Sequence, residues 1–293
     1  MKIAIASGKG GTGKTTIALN LALSLIETGR RVHLLDCDVE EPDTHLFLKT
    51  TLNLRKKVNL LIPEVDMGKC TLCGECASAC EFNAIAVIGK KVMVFPELCH
   101  GCNLCGVVCP VTAISEKPHT IGVIEQGTAT GEGQLKMDFT IGRLNIGEPM
   151  ATPVIREEKK LILPEVINII DSPPGTSCPV IEAIHGTDFT ILVTEPTPFG
   201  LYDLKLAVGV VRDLGIPFGV VVNRSDIGDK GVMEYCTEQA IPLLMEIPFV
   251  REIAELYSRG IPFVTALPEW KERFIHMFDV IERMVNNAKE VKE

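Results

Sequence analysis

The first segment that could carry chemistry is a glycine-rich run near the N-terminus. Residues 8–15 read Gly-Lys-Gly-Gly-Thr-Gly-Lys-Thr and fit the pattern G-x-x-x-x-G-K-[ST] at every fixed position. In this pattern backbone N–H groups curl around phosphates, Lys14 would reach the β- and γ-phosphates, and Thr15 would hold Mg²⁺. The residues expected to bind a nucleotide's phosphates are Gly8, Lys9, Gly10, Gly11, Thr12, Gly13, Lys14, Thr15 and Thr16.

Cysteines form a second concentration of chemically capable residues. Of the 11 cysteines, eight lie in two runs with the spacing Cys-x₂-Cys-x₂-Cys-x₃-Cys, and the second run repeats the first at an offset of 29 residues. In a reducing compartment such a concentration indicates metal binding rather than disulfides. Structural zinc prefers two separated Cys-x₂-Cys pairs, so zinc is the poorer alternative.

This cysteine pattern resembles that of bacterial ferredoxins with two [4Fe–4S] clusters. Three thiolates within seven residues wrap one face of a cubane, whereas the fourth lies too far along the chain to close the same cluster. We therefore expect one cluster on Cys70, Cys73, Cys76 and Cys109, and the other on Cys99, Cys102, Cys105 and Cys80. Glu81 stands where proline is usual in the first run, which leaves the ligands intact.

The glycine-rich run also resembles a particular group of nucleotide-binding proteins. Residues 9–16, Lys-Gly-Gly-Thr-Gly-Lys-Thr-Thr, are similar to the deviant Walker A loop of the MinD, ParA and nitrogenase iron protein superfamily. The resemblance implies that Lys9 crosses a dimer interface to the partner's nucleotide, within a nucleotide-sandwich homodimer. A solvated loop lysine is the alternative.

Acidic residues that follow two apolar segments match further markers of this superfamily. Asp38 follows the segment 32–36 and matches the aspartate that orients the attacking water; Asp171 ends the segment 166–171 and would bind Mg²⁺ through water. The resemblance thus implies that ATP hydrolysis depends on Lys9, Lys14 and Asp38. Asp36 and Asp43 are weaker candidates, because an aspartate after a strand often caps a helix or turn.

The second half of the chain predicts the elements that position these residues. Strand-like and helix-like segments alternate from Thr190 to Asn223, the rhythm of a doubly wound parallel sheet. Residues 220–224 resemble the superfamily's adenine-recognition strand end, with Asn223 reading the base. Residues 247–249, which include Pro248, resemble the loop that closes over the base.

The predicted fold is therefore α/β: a doubly wound P-loop ATPase with an inserted bacterial-ferredoxin-like α+β domain. We expect the ATPase domain in residues 1–63 and 118–293, and the insert in residues 64–117. Residues 119–150 contain repeated glycines and predict either a hairpin or a mobile loop near the nucleotide. The spacing of Phe274, Phe278 and Ile281 predicts a terminal helix packed on the sheet, with a membrane anchor as the alternative.

The composition of the chain limits the classes of partner that we expect it to bind. The formal net charge of −9 makes nucleic acid an unfavourable partner. No segment approaches the roughly 18 apolar residues of a membrane span, and Met1-Lys2 runs directly into a predicted strand, so we expect a cytoplasmic protein that does not bind membranes.

Together these patterns predict an iron–sulfur protein that binds and hydrolyses ATP, with ATP, Mg²⁺ and two [4Fe–4S] clusters as cofactors. The first expectation is that nucleotide state is coupled to electron transfer through the clusters, with a redox partner protein. The alternative is an Mrp-type ATPase that assembles iron–sulfur or other metallocofactors for a client protein. The second alternative is a positioning ATPase like MinD or ParA.

Overall fold

The computed structural model describes residues 1–130 and 135–290. The strands are β1 (Lys2–Ala6), β2 (Val32–Asp36), β3 (Lys49–Val65), β4 (Ile85–Ile88), β5 (Lys91–Val94), β6 (Ile114–Thr130), β7 (Lys136–Leu144), β8 (Ile167–Asp171), β9 (Phe189–Thr194), β10 (Phe218–Asn223) and β11 (Leu243–Ile247). The helices are α1 (Lys14–Glu27), α2 (Glu75–Ser78), α3 (Leu104–Val107), α4 (Thr152–Lys159), α5 (Cys178–Ile184), α6 (Pro198–Asp213), α7 (Gly231–Glu238), α8 (Arg251–Ser258), α9 (Phe263–Ala266) and α10 (Pro268–Glu290).

A nine-stranded sheet in the order β11-β10-β9-β1-β8-β2-β7-β6-β3 forms the centre of the molecule. From β11 to β7 every neighbouring pair is parallel, whereas β6 and β3 are added antiparallel. Strands that are parallel end at the same edge, so β1, β2, β8 and β10 all deliver their last residues to one rim. This confirms the predicted α/β sheet and explains how distant motifs come together.

Two apolar cores cover the two faces of the sheet. Helices α1, α9 and α10 pack on one face, and α4, α5, α6 and α7 pack on the other. Helix α10 confirms the predicted terminal helix, since Phe274, Phe278 and Ile281 are fully buried. Within the described residues, no helix is long and apolar enough to cross a membrane.

The described residues of the segment 119–150 contain two antiparallel paired strands, as the hairpin alternative predicts. Strands β6 and β7 pair from Gly122 opposite Leu144 to Thr130 opposite Lys136, and the connecting residues 131–134 lie outside the described part of the chain. The glycines of this region allow close backbone approach, because a Cβ on Gly127 would lie 1.9 Å from the carbonyl oxygen of Thr51 on β3.

The cysteine segment is carried beyond the rim of the sheet by β3 and β6. These strands stay paired past the level at which Val58 faces Gly122, for seven further residues, until Val65 faces Ile114. That extension is roughly 23 Å long at about 3.3 Å per residue. It leaves the sheet at the rim where the parallel strands end. Residues 66–113 connect the two strands and contain the small β4–β5 sheet, so the predicted boundaries at 63/64 and 117/118 fall inside β3 and β6.

Candidate nucleotide site and cysteine cavities

The glycine-rich loop lies between β1 and α1, as the motif predicts. Gly11 and Gly13 have positive φ angles of 75° and 99°, a conformation that a side chain disfavours, and α1 begins at the next residue, Lys14. Gly8 is needed for a different reason, since a Cβ there would lie 2.3 Å from the carbonyl oxygen of Asp203. The loop therefore presents backbone N–H groups at a helix N-terminus, which favours phosphate binding.

A cavity of about 470 Å³ opens in front of this loop. Most of the residues predicted to bind nucleotide line it, including Asp38 from the end of β2 and Asn223 from the end of β10. The predicted residues on its wall are Gly10, Gly11, Gly13, Lys14, Thr15, Thr16, Asp38, Asn223 and Pro248. The predicted residues that do not line the cavity are Gly8, Lys9, Thr12 and Asp171.

The far wall of the cavity contains Phe249, from the predicted base-closing segment 247–249, and further residues that the motifs did not identify. Helix α8 and the loop before it contribute apolar and aromatic side chains, opposite the phosphate-binding end. These residues are Phe249, Val250, Ile253, Ala254 and Tyr257. The strong amphipathicity of residues 251–258 is the sequence signal that could have indicated the three cavity residues on α8. None of the five residues is fully buried in the core. A purine ring would find apolar surface here and amide groups at Asn223.

The Asn223 side chain also stabilises the loop itself. Its Nδ2 donates to the Thr12 carbonyl oxygen at 2.9 Å, and its Oδ1 accepts from the Arg224 backbone N–H at 3.0 Å. The sequence predicted a base-reading role, and the structure adds a structural one. Both depend on the carboxyl end of β10 lying beside the glycine-rich loop.

Asp171 is completely buried below Thr15, and neither of its carboxylate oxygens has a hydrogen-bond partner within the described residues. Burial, and after it the charge of Asp36, raises the pKa of Asp171 well above its ordinary value. A buried carboxylate without partners is costly unless a cation neutralises it. Asp171 and Thr15 therefore fit a Mg²⁺ ion, which would sit at the phosphates and supply charge neutralisation there.

Asp36 has a structural role that differs from that of Asp38. Its Oδ2 accepts hydrogen bonds from the Thr44 backbone N–H at 3.1 Å and the Thr44 hydroxyl at 2.6 Å, which holds the short 3₁₀ turn Thr44–Leu46. Asp36 does not line the cavity, so of the two predicted roles it has the structural one, the capping of a turn. Burial raises its pKa to about 7.

Asp38 and Asp43 both reach the cavity. Burial raises the pKa of Asp38 to about 6, while Lys14 acts in the opposite direction. Burial also raises the pKa of Asp43, and the Thr15 hydroxyl opposes that shift most strongly. Asp43, a weaker candidate from the sequence, is thus as well placed as Asp38 to contact a nucleotide or its water.

Lys9 points along the protein's own surface in this structure. Its Nζ lies 3.4 Å from Oε2 of Glu195, whose Oε1 accepts from the Arg224 guanidinium at 2.7 Å. Glu195 follows β9 and is 9% exposed. No sequence motif indicates a role for Glu195, because a single glutamate after a strand matches no pattern.

The eight clustered cysteines converge on two separate cavities. One cavity is lined by Cys70, Cys73, Cys76 and Cys109. The other is lined by Cys80, Cys99, Cys102 and Cys105. Each set takes three cysteines from one run and the fourth from the other run, which is the combination expected from the spacing.

The 29-residue repeat extends to the backbone around these cysteines. Leu72 and Gly101, Gly74 and Asn103, and Asn83 and Thr112 form three pairs at this offset, and all six residues have positive φ angles. Four of the six are not glycine, and four strained positions of this kind within the 41 residues from Leu72 to Thr112 indicate a conformation imposed by what the loops surround. Four hydrogen bonds from backbone N–H groups to cysteine sulfurs also form two pairs at the 29-residue offset.

Backbone N–H groups point at four of the cysteine sulfurs. Donor-to-Sγ distances are 3.4 Å for Leu72 to Cys70, 3.5 Å for Gly101 to Cys99, 3.3 Å for Ala84 to Cys80 and 3.2 Å for Ala113 to Cys109. Such bonds stabilise thiolates and tune the potential of an iron–sulfur cluster.

These residues fit a pair of cubane clusters. Burial raises the pKa of the Cys76, Cys99 and Cys105 thiols, so a cationic centre is needed to keep them as thiolates. Within residues 1–130 and 135–290, no group of three or more His, Cys, Asp or Glu is spaced to hold a single metal ion. Of the remaining cysteines, Cys37 and Cys236 are buried and Cys178 is exposed.

Known proteins resemble this chain in sequence and in fold. An uncharacterised protein of Methanocaldococcus jannaschii is 34% identical over 267 residues, which span 90% of this chain and 91% of its own. An iron-sulfur cluster carrier protein of Pyrococcus horikoshii is 27% identical over 311 residues, spanning 99% of this chain and 88% of its own. The structure of the cell division ATPase MinD of Pyrococcus furiosus matches the fold with a TM-score of 0.58 at 23% identity, over 97% of this chain and 98% of that one.

The sequence profile of the CobQ/CobB/MinD/ParA nucleotide binding domain matches residues 3–263, which include the glycine-rich loop, Asp38, Asp171 and Asn223. The profile covers most of the chain, and the matched residues surround the 470 Å³ cavity. The chain belongs to the CobQ/CobB/MinD/ParA family of P-loop nucleotide-binding ATPases.

Proposed function

We propose that this protein is an ATP-hydrolysing iron–sulfur protein that couples its nucleotide state to electron transfer through two [4Fe–4S] clusters. Lys14, Thr15 and Asp171 hold Mg·ATP, and Asp38 orients the attacking water. The clusters, when bound, supply one-electron redox chemistry. The chain's own task is to hold them in fixed thiolate cages and to move those cages with the nucleotide loops.

The observation that carries this proposal is the position of the cysteine cavities relative to the nucleotide cavity. Both lie at the same rim of the sheet, because β3 and β6 extend beyond the level of Val58 and Gly122 on the side where the parallel strands end. The loop that contains Asp38 is bonded to the end of β7, the strand that pairs with β6 up to the level at which the extension begins. Leu144 at the end of β7 donates its N–H to the carbonyl oxygen of Val39 at 2.8 Å, next to Asp38.

A second connection reaches β6 itself. The Asn145 N–H donates to the Ile121 carbonyl oxygen at 2.8 Å, and Asn145 Nδ2 donates to the Thr120 carbonyl oxygen at 2.8 Å. A displacement of Asp38 on ATP binding would therefore be transmitted through two hydrogen-bonded steps to β6, which begins at Ile114, five residues after Cys109. Nucleotide-driven movement of such loops is common in P-loop proteins.

The resemblance of Lys9 to the superfamily's dimer lysine supports a nucleotide-sandwich homodimer as the ATP-bound state. In that state the rim that carries the nucleotide would face the partner. The cysteine segment extends from the same rim, so dimerisation would also change its surroundings.

Iron–sulfur cluster delivery is the second candidate function. It is favoured by the names of relatives, since similar proteins of Pyrococcus horikoshii and Aquifex aeolicus are called iron-sulfur cluster carrier protein. The two candidates differ in the fate of the iron. A carrier gives up its cluster to an acceptor, whereas an electron-transfer protein keeps both clusters through many turnovers.

Following iron and electrons in one sample would distinguish them. Protein loaded with ⁵⁷Fe is incubated with Mg·ATP and an apo-ferredoxin, and Mössbauer spectra of the two proteins are compared after separation. We expect the label to stay with this protein while its dithionite-reduced clusters are reoxidised by one-electron dyes. Transfer of the label at a rate that rises with ATP would support the carrier function instead.

A further inference from the structure

The surfaces above the two cysteine cavities differ in character. Three hydrophobic residues that line the Cys80–Cys99–Cys102–Cys105 cavity are strongly exposed: Leu61 at 48%, Phe82 at 41% and Leu104 at 41%. The hydrophobic residues that line the other cavity, such as Leu72 and Val111, are half-buried or buried. Exposed apolar area adjoining a site is typical of an interaction surface.

An aromatic pair marks the centre of this exposed surface. The rings of Phe82 and His100 stack with centroids 3.6 Å apart and an interplanar angle of 7°. Phe82 lies two residues after Cys80, and His100 directly follows Cys99, so each ring belongs to a loop that presents a cysteine of the same cavity. We call the surface of Leu61, Phe82, His100 and Leu104 the Phe82 face.

Acidic residues surround the Phe82 face. Glu116 lines the same cavity, Glu81 precedes Phe82, and Glu97 lies three residues before His100. All three are exposed, and none forms a salt bridge within the described residues. The neighbouring ion pair Lys117–Glu64 compensates its own charge. The rim is therefore negative around an apolar centre, the arrangement of a small electrostatically steered interface.

We propose that the Phe82 face docks a one-electron redox protein whose own docking surface is basic, and that electrons enter and leave through the cluster held by Cys80, Cys99, Cys102 and Cys105. This rests on the proposed function, since it requires the clusters. Because the rim is negative, it favours a partner whose docking surface is positively charged. The small apolar centre suits the brief encounters of electron-transfer proteins, whose interfaces typically bury less than about 1,200 Å².

A basic c-type cytochrome serves as the probe. One electron leaves the reduced cluster and reduces the ferric haem to ferrous haem, with no proton or group transferred. The dissociation constant of the complex between the cytochrome and the cluster-loaded protein is measured by NMR titration at low and at near-physiological ionic strength. Stopped-flow absorbance gives the rate of haem reduction. An acidic flavodoxin is the probe of opposite charge.

Two variants and a matched control test the location of the face. The triple variant Glu81→Gln, Glu97→Gln, Glu116→Gln is expected to weaken cytochrome binding and slow its association by about tenfold at low salt. Phe82→Ala is expected to weaken binding at both ionic strengths, because it removes apolar contact rather than charge. The control, Glu234→Gln, Glu238→Gln, Glu272→Gln, makes the same change in net charge at exposed sites on α7 and α10, and is expected to have little effect.

The outcomes separate this inference from the proposed function. Iron content is measured for each variant, and about eight iron atoms per chain show that both clusters are present. With clusters present, equal weakening by the control triple, unchanged binding in both variants, or tighter binding of flavodoxin than of the cytochrome would each overturn the docking face. Absence of clusters in the unmodified protein would instead overturn the proposed function.

Discussion

Lys9 and Glu195 form an ion pair across the mouth of the glycine-rich loop, with Nζ 3.4 Å from Oε2. The Lys9 side chain is 33% exposed and that of Glu195 only 12%, so the pair lies at the boundary of the protein interior. Arg224 shares the same carboxylate. In this structure Lys9 is thus held by its own chain, and any role across a dimer interface requires that it leave Glu195.

Substituting Glu195 by Gln should therefore favour the nucleotide-sandwich dimer. A partly exposed ion pair contributes up to about 1 kcal/mol, and the dimer contains two such pairs, so the dimer dissociation constant should fall by up to about 30-fold. Sedimentation equilibrium with a non-hydrolysable ATP analogue measures this constant. Lys9→Ala should weaken the dimer, and Glu255→Gln, which breaks the exposed Arg251–Glu255 pair, should leave it unchanged. A weaker dimer for Glu195→Gln would mean that Glu195 orients Lys9 toward the partner.

Asp38→Ala should bind ATP yet hydrolyse it slowly. Asp38 lines the cavity but is not part of the glycine-rich loop, so its loss leaves the phosphate-binding groups in place. Loss of a residue that positions the nucleophile lowers kcat and kcat/KM together. Steady-state turnover and fluorescent-nucleotide binding are compared, with Lys14→Ala as the variant that should lose binding. Turnover equal to that of the unmodified protein would exclude Asp38 from the reaction and direct attention to Asp43.

The raised pKa of Asp38 predicts a pH-dependent stability of the nucleotide-free protein. Its folded pKa of about 6 exceeds the ordinary value of 3.8, so between these values the folded state binds more protons than the unfolded state. The free energy of unfolding therefore falls as pH rises from about 4 to about 6, and the penalty is complete above pH 6. Asp38→Asn removes it, and after allowance for partial exposure should stabilise the protein by about 2 kcal/mol at pH 8.

Urea denaturation at pH 4 and pH 8 measures this difference. The gain for Asp38→Asn should be near its full size at pH 8 and much smaller at pH 4, where the folded-state carboxyl is protonated and the unfolded-state carboxyl is about half ionised. A gain of the same size at both values would show that packing, rather than charge, is responsible.

The parts of the site that lie in one contiguous motif were predictable from the sequence. Gly8 to Thr16 form their loop between β1 and α1 through local conformational preferences, and the cysteine runs impose their own pairing through the reach of the chain. The ends of β8 and β10 followed from parallel topology, because strands of a parallel sheet bring Asp171 and Asn223 to the same rim.

Features that depend on packing between distant segments were not predictable. Glu195 acquires its role only because β9 ends beside the glycine-rich loop. For Asp36 the sequence does not distinguish a capping role from a role at the nucleotide, whereas its hydrogen bonds to Thr44 identify the capping role. Glu158, on the amphipathic helix α4, is fully buried, and burial raises its pKa well above the ordinary value. No periodicity distinguishes such a glutamate from one in solvent.

The crossed pairing of the cysteines predicts a pattern among double variants. Cys70→Ser with Cys109→Ser should remove one cluster and leave about four iron atoms per chain, whereas Cys70→Ser with Cys80→Ser should remove both. Pairing within each run would give the reverse result. Iron content and the EPR spectrum of the reduced protein measure the outcome. Cys178→Ser, at an exposed cysteine outside both runs, is the control that should leave both clusters in place.

The link between Val39 and Leu144 predicts that nucleotide binding shifts the cluster potentials. Coupling between ligand sites is typically about 1–3 kcal/mol, which for a one-electron couple is roughly 40–130 mV at about 59 mV per tenfold change. By reciprocity, reduction of the clusters must change ATP affinity by the same free energy. We expect the shift to pass through the hydrogen-bonded connection from Val39 to β6, because these bonds join the loop that contains Asp38 to the strand that leads to the cysteine segment.

Redox titration without nucleotide, with ADP and with an ATP analogue measures this shift, and a matched pair of variants locates its path. Asn145→Ala removes the side-chain bond from the end of β7 to Thr120 on β6, and should reduce the shift. Asn59→Ala removes the neighbouring bond from the Thr120 hydroxyl, which joins β6 to β3 without contacting the nucleotide loops, and should preserve the shift. Potentials that agree within about 15 mV in all three nucleotide states would limit the coupling to below ~0.4 kcal/mol. Nucleotide could then control electron transfer only through partner docking, and cluster delivery would become the better-supported function.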